Sequence, residues 1–516
     1  MSHVIGAKGV RGVVAGVALL VLVGCGLPAP MLQDVNEGDS TESGDDQPSI
    51  DQDGLERFYG QTITWTDCGQ DQECASVEVP IDYDHPDRGT VDIALKKHAS
   101  SSAEGMVLVN PGGPGGSGVE LIDQAREAFS PTLLEAKEIV GFDPRGVGQS
   151  APISCLEDDE LDEFYSATFE VDTDEGFEDF LKSTEEFVSA CEENNPNTIG
   201  FVDTLSAARD MDIIRQALGQ EKLDYLGFSY GTKLGATYAD LFGERVGAFV
   251  LDGAMTLSAD VQEITYAQVE GFERAYRVYL KNCLTTPQCP FTGSVDDAYD
   301  QTVRMLERVS DQPVDSGDPD RPVTEVDVMN AIIIAMYDVA TWEVLSTAIS
   351  ALDGGDGSVV KFLSDVVLDR KTDGSYSPSH GAMMAIQCLD YPGAGTTDKE
   401  DLAKEAEKLE ELSELFGPSL AYGEVACTML DEQAGDVATD RDLTAAQAPT
   451  MVVLGTTGDP ATPYHWAEEM VEHLDDAVLV TWEGEGHLAY RGNSCVDEAV
   501  DEFLIDGVLP EDGLTC

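Results

Sequence analysis

Residues 226–232 read "LGFSYGT", a serine between two glycines directly after the apolar run Leu223–Phe228. Gly227-Phe228-Ser229-Tyr230-Gly231 fits Gly-x-Ser-x-Gly, the sharp turn in which a strand ends, a helix begins and a serine occupies the corner. Small residues flank the serine because side chains there would strike the neighbouring strand or the new helix. The serine is then held in a strained backbone conformation with its hydroxyl exposed. Five residues with three fixed positions also arise by chance, so the rest of the chain decides the reading.

Outward from this turn, short strand-like runs recur: Ser76–Ile81, Val91–Lys96, Met106–Asn110, Glu138–Phe142, Leu223–Phe228, Ala248–Leu251, Thr450–Gly455 and Ala477–Trp482. The later ones are dense in Val, Leu and Ile and flanked by glycine, the pattern of parallel strands buried on both faces. Helical spacing separates several of them. Leu205, Ala208, Met211, Ile214 and Leu218 fall on one helix face. The alternation predicts an α/β fold with a mostly parallel central sheet flanked by helices.

The alternation breaks twice. An acidic helical insertion is expected at about 155–197. A longer break, 255–444, carries Val269, Phe272, Tyr276 and Tyr279 on one helix face, the apolar "TEVDVMNAIIIAMYD", and the charged run Lys404–Leu415. We expect it to form a helical cap over the C-terminal edge of the sheet, where ligands bind in such folds. Residues 57–254 and 445–516 are then the two parts of one core. No internal repeat is evident.

The chain has 516 residues, too many for one small core. Lys8 and Arg11 precede an almost wholly apolar stretch, Val13–Val23, which is too short to span a bilayer comfortably. Residues 1–24 therefore read as a secretory signal. Its ending, Leu22-Val23-Gly24-Cys25, resembles that of a bacterial lipoprotein, in which Cys25 becomes the acylated N-terminus. More than one acyl chain anchors stably, here to the outer face of the cell membrane. Residues 25–56 are rich in Asp, Glu, Ser, Gly and Gln and read as an acidic flexible tether. The sequence leaves open whether the tether is shed, and the oligomeric state.

Ninety-nine acidic residues against 29 Lys and Arg give a net charge of −70. Such a field repels phosphates and excludes nucleic acid as a partner. It favours solubility and suits a salty exterior that screens self-repulsion. It also makes any single acid a weak signal for cation binding. Ten cysteines remain besides Cys25: Cys68, Cys74, Cys155, Cys191, Cys283, Cys289, Cys388, Cys427, Cys495 and Cys516. An even number in an exported chain argues for disulfides, and the spacing suggests that consecutive cysteines pair. Neither Cys-x-x-Cys pairs nor clustered histidines support a metal site, and no cofactor is implied.

A serine hydroxyl attacks only when a base takes its proton and a carboxylate orients that base. In α/β-hydrolases the order along the chain is Ser, then Asp or Glu, then His, the last two on loops after late strands. Asp459, in "TTGDPATP", follows the run ending at Gly455, and His487, in "EGEGH", follows the run ending at Trp482. The other histidines lie in the signal, before the serine, in the cap or within an expected helix. Asp252, ending its own strand, competes with Asp459 as orienter but reads better as a loop anchor. The tetrahedral intermediate needs two N–H donors. Tyr230, the residue after the nucleophile, supplies one. The loop "PGGPGGSG" after Met106–Asn110 supplies the other, from Gly112 or, by preference, Gly113. A phosphate loop is disfavoured there, because no Gly-Lys-Ser/Thr ending follows.

Taken in order, "GGPGGSG", "GFDPRGVGQS" (141–150), "GFSYG", "GTTGDPATP" and "GEGH" resemble the secreted tripeptidyl aminopeptidase branch of the prolyl-aminopeptidase-like serine peptidases. The resemblance runs from about Ile63 to the C-terminus. The prolyl aminopeptidases proper carry His-Gly-Gly-Pro-Gly, whereas Asn110-Pro111 precedes the glycines here; that fits the tripeptidyl branch. Asp143 and Arg145 read as structural. The resemblance implies release of short peptides, tripeptides above all, from free N-termini through an acyl-enzyme. Physically this needs a pocket closed at one end, with acids facing the substrate's α-ammonium group. Asp390, in "AIQCLD", is the candidate for that pairing. Two other readings compete: a cell-surface carboxylesterase or lipase acting on acyl esters, and a non-catalytic binding lipoprotein. The intact Ser229, Asp459 and His487 argue against the last.

Overall fold

The computed structural model describes residues 13–15, 54–391, 395–430 and 442–516. Cys25, the tether up to residue 53 and the signal segment apart from Val13–Ala15 lie outside the described residues. Val13–Ala15 forms a short antiparallel ladder with Thr168–Glu170.

Ten strands make one sheet: β1 (Thr66–Gly69), β2 (Gln72–Pro80), β3 (Thr90–His98), β4 (Met106–Asn110), β5 (Glu138–Phe142), β6 (Leu223–Phe228), β7 (Val246–Asp252), β8 (Met451–Gly458), β9 (Ala477–Glu485) and β10 (Leu514–Thr515). Their spatial order is β10-β9-β8-β7-β6-β4-β5-β3-β2-β1. From β5 to β10 all neighbours are parallel, while β1, β2 and β3 join antiparallel at one edge. The central strands bury both faces. In β6, Leu223 and Tyr225 pack into one core layer and Leu226 and Phe228 into the opposite one. In β8, Val453 faces the first layer and Val452 and Leu454 the second. This two-sided burial is why these segments read as continuous apolar runs.

The sequence expectation captures β4, β5 and β6 to the residue. It misses the edge strands β1 and β10. All four residues of β1 are exposed, so no burial period marks it. Between β7 and β8 lies a helical layer, Val261–Cys283, Val295–Asp311, Glu325–Met336, Trp342–Asp353, Ser358–Val367, Ser379–Asp390 and Lys399–Leu412 among it. It has its own apolar core around Phe272, Tyr276, Ile332 and Ile349. The helix Asp174–Asn194 reaches this layer through Phe177 and Phe180, which pack with Leu402, Tyr422 and Val425.

The ten cysteines form Cys68–Cys74, Cys155–Cys191, Cys283–Cys289, Cys388–Cys427 and Cys495–Cys516, each joined to its sequence neighbour. Among the described residues no helix is long and apolar enough to cross a membrane.

Candidate active site

Ser229 stands between the end of β6 and the helix Tyr230–Phe242, at φ 55° and ψ −123°. That is a sparsely populated conformation for a residue with a side chain and persists only where surroundings over-determine it. Here the Ser229 N–H donates to the Asp252 carbonyl at 2.8 Å, while the Ser229 carbonyl accepts from the Thr232 hydroxyl at 2.6 Å. The glycines are dictated by space. A Cβ on Gly227 would come 2.4 Å from the Gly231 carbonyl oxygen, and one on Gly231 would meet the Asn110 side chain at 2.9 Å.

His487 and Asp459 are held together from several directions. The His487 Nδ1 lies 3.0 and 2.9 Å from the two Asp459 carboxylate oxygens, and both side chains are almost wholly buried. Asp459 also accepts from the Ala461 and Thr462 N–H groups and the Thr462 hydroxyl, at 2.9, 2.8 and 3.0 Å. These bonds fix the carboxylate as an acceptor aimed at the imidazole. The His487 N–H donates to the Tyr337 carbonyl at 2.8 Å, and the two rings meet edge to face at 5.2 Å. Tyr337 belongs to the helical layer, so that layer helps to place the imidazole. Ser229 and His487 flank one turn: Asp252 binds the serine amide, and a Cβ on the adjoining Gly253 would lie 3.1 Å from His487 Cε1.

Asp252 is a separate anchor. Its two oxygens accept from the Ala489 and Tyr490 N–H groups, each at 2.9 Å, gripping the turn just after His487. Complete burial pushes its carboxyl up to about 7, against the lowering effect of those two hydrogen bonds. A carboxyl so costly to charge is poorly suited to orienting a base by its negative charge.

The loop after β4 meets the elbow closely. At Gly112 a Cβ would fall 2.4 Å from the Phe228 carbonyl oxygen and 3.1 Å from the Tyr230 nitrogen. The Gly112 N–H is taken by the Asn110 side chain at 2.9 Å, which leaves Gly113 as the better donor of the pair. The Tyr230 N–H opens its helix and has no intrahelical acceptor; the positive end of that helix adds to the field there. Asp143 accepts from Ser117, Val119 and Gln149 around this loop. Arg145, buried, binds Asp210 and the carbonyls of Pro80, Ile81 and Phe201. Both hold loops together.

Beside Tyr230 a cleft opens between the core and the helical layer. Its walls include Pro114, Lys233, Met255, Ile264, Asp390, Tyr391 and Glu424. Asp390 is there, but its carboxylate is engaged: it accepts from the Thr204 N–H at 3.0 Å and hydroxyl at 2.5 Å and pairs with Lys233 at 3.4 Å. Sequence reasoning missed Tyr337, Lys233, Thr204 and Glu424. Lys233, one helical turn after Ser229, was within reach of a periodicity argument; the others carry no local signal.

A family model described as TAP-like protein matches residues 413–516. Over 89% of its length the chain is 32% identical to serine protease Hip1 of Mycobacterium tuberculosis, covering 91% of that protein. It is 31% identical to carboxylesterase B of the same organism, over 86% of each chain. With tripeptidyl aminopeptidase of Streptomyces lividans it shares 26% identity, over 88% of this chain and 86% of that one. Relatedness of this depth and extent, joined to a strained Ser229 and a buried Asp459–His487 pair on an α/β-hydrolase sheet, means that the chain belongs to the tripeptidyl-aminopeptidase-like family of serine hydrolases.

Proposed function

We propose that this protein is an exported serine exopeptidase that releases short peptides, tripeptides foremost, from free N-termini. Ser229 is the nucleophile, His487 its general base and then the acid for the leaving amine, and Asp459 the group that orients the imidazole. The Gly113 and Tyr230 N–H groups stabilise the oxyanion, a contribution of about 3 kcal/mol per donor in comparable sites. After the amine leaves, water attacks the acyl-enzyme by the same route. The observation that carries the peptidase reading is the acid-bearing cleft beside Tyr230, roofed by the helical layer between β7 and β8. Such a cleft suits an ammonium-bearing chain end better than an acyl ester. Residues 255–444 act as the cap. The signal 1–24, acylation of Cys25 and the tether 25–56 place the enzyme on the outer face of the cell membrane, and the five disulfides fit an oxidising exterior.

A carboxylesterase is the second reading, favoured by the relative of that name and by a triad that amide and ester hydrolysis share. The deciding experiment is hydrolysis of a tripeptidyl anilide and its N-acetylated twin by wild type and Ser229→Ala. Release of the intact tripeptide from the free amine alone, lost in the variant, supports the exopeptidase. Equal cleavage of both forms, or preference for short acyl esters, rejects it. Loss of kcat in Ser229→Ala should be about 10⁴-fold or more, as for other triad serines.

A further inference from the structure

Asp459 is aimed by the N–H groups of its own turn, and the helical layer grips that turn from outside. The Ala461 and Thr462 N–H groups donate to Asp459 at 2.9 and 2.8 Å. A peptide unit is planar and trans, so its carbonyl points away from its N–H. The carbonyls opposite these two donors are those of Pro460 and Ala461, and both meet the helix Val261–Cys283. The side-chain amide of Gln268, which is only 3% exposed, donates to the Ala461 carbonyl at 2.9 Å. At Gly271 a Cβ would fall 2.4 Å from the Pro460 carbonyl oxygen, so the helix backbone lies directly against that peptide. Arg274 donates to the Gly458 carbonyl and to the two Glu485 oxygens, the latter at 3.3 and 3.0 Å. Gly458 and Glu485 face each other across β8 and β9, just before Asp459 and His487. Gln268, Gly271 and Arg274 lie three apart on one side of the helix and meet 461, 460 and 458 in turn.

We propose that Gln268 is a positioning residue: by holding the Ala461 carbonyl it fixes the plane of the Ala461–Thr462 peptide, whose N–H aims Asp459 at His487. This rests on Ser229, His487 and Asp459 acting as the triad, and it applies to peptide and ester substrates alike. A peptide bonded at its carbonyl is polarised and donates more strongly through its N–H. Without Gln268 the Ala461 carbonyl loses that donor, and the peptide tilts to recover one at the expense of its bond to Asp459. Arg274 acts one step further out, tying the ends of β8 and β9 together. Its side chain is 40% exposed, so its hold is the weaker of the two. The helix that walls the cleft thereby also sets the acid–base half of the site.

Gln268 also lines the cleft beside Tyr230, so positioning has to be separated from contact with substrate. A small fluorophosphonate does this, because it labels Ser229 through the same base without filling the cleft. The labelling rate constant is compared in wild type, Gln268→Met, Gln268→Asn and Asp459→Ala, and in each Gln268 variant combined with Asp459→Ala. Kinetics on a tripeptidyl anilide and melting temperatures are measured alongside. Gln268→Met should label about 10- to 100-fold more slowly, the scale of a small misplacement at a reacting centre. Its kcat should fall by a similar factor, with KM and melting temperature little changed. In the Asp459→Ala background the same substitution should cost about twofold or less, since the carboxylate it positions is gone. Gln268→Asn withdraws the amide by one methylene and should show a loss of the same sense and the same coupling; it decides the matter if the Met variant proves unstable. Wild-type labelling in both Gln268 variants, an equal loss with and without Asp459, or an effect confined to KM overturns the assignment. An Asp459→Ala protein that labels as fast as wild type would instead reject the triad itself.

Discussion

At Ser229 the backbone is strained where β6 turns into its helix, and one residue, Asp252, helps to hold that turn. Its carbonyl accepts the Ser229 amide, and its side chain grips the turn after His487. The two halves of the site are thus tied through a carboxyl raised by burial to about 7. An unfolded aspartate titrates near 3.9. Between these values the native state holds a proton that the unfolded chain has released. The contribution to stability is therefore full below about pH 4 and declines as pH rises through about 7, by at most about 1.4 kcal/mol per unit. Asp252→Asn cannot titrate, so its melting temperature should fall less between pH 5 and 8 than that of wild type. It should also be less stable at every pH, because one of the two N–H groups loses its acceptor. Identical pH profiles for the two proteins would show that Asp252 is not the titrating group.

The elements that meet around the serine do so at backbone contact, and that explains which parts of the site the sequence could reveal. Gly112, at φ +90°, lies against the Phe228 carbonyl and the Tyr230 nitrogen. Gly112→Ala would push the loop off the elbow and carry the Gly113 amide away from the oxyanion. We expect kcat to fall about 10²–10³-fold, the cost of one lost donor, with KM changed much less. A larger rise in KM than fall in kcat would mean that the loop binds substrate rather than stabilising the transition state. Glycines forced by contact leave a sequence record, as "GGPGG" and "GFSYG" do. Asp459 and His487 were legible for a related reason, since each follows a parallel strand whose apolar run is plain in the sequence. β1 was not, because an exposed edge strand has no burial pattern. Nor was the Tyr337 carbonyl beneath His487, for a backbone acceptor can be supplied by any residue type.

Across the whole molecule, 99 acids against 29 basic residues make any single acid a weak signal in the sequence. Asp390 stood out in the sequence because it lies beside Cys388. The folded chain shows it bound by Thr204 and Lys233, from segments about 160 to 190 residues away. That arrangement arises only when β6, its following helix and the helical layer converge. The surplus charge has consequences of its own. Self-repulsion destabilises the compact state, and salt weakens it as the Debye length shrinks from about 30 Å at 0.01 M to about 3 Å at 1 M. The melting temperature should therefore rise with sodium chloride over that range. The same field draws cationic peptides towards the cleft, so KM for a free-amine tripeptide should rise with salt while that of its acetylated twin changes little. The two trends oppose each other, and activity at low substrate should fall under the conditions that stabilise the fold. A melting temperature that drops steadily with sodium chloride would mean that specific ion pairs, such as Arg145–Asp210 and Arg321–Asp365, outweigh the net repulsion. Parallel salt dependence of KM for both peptides would mean that the acid field does not act on the substrate's chain end.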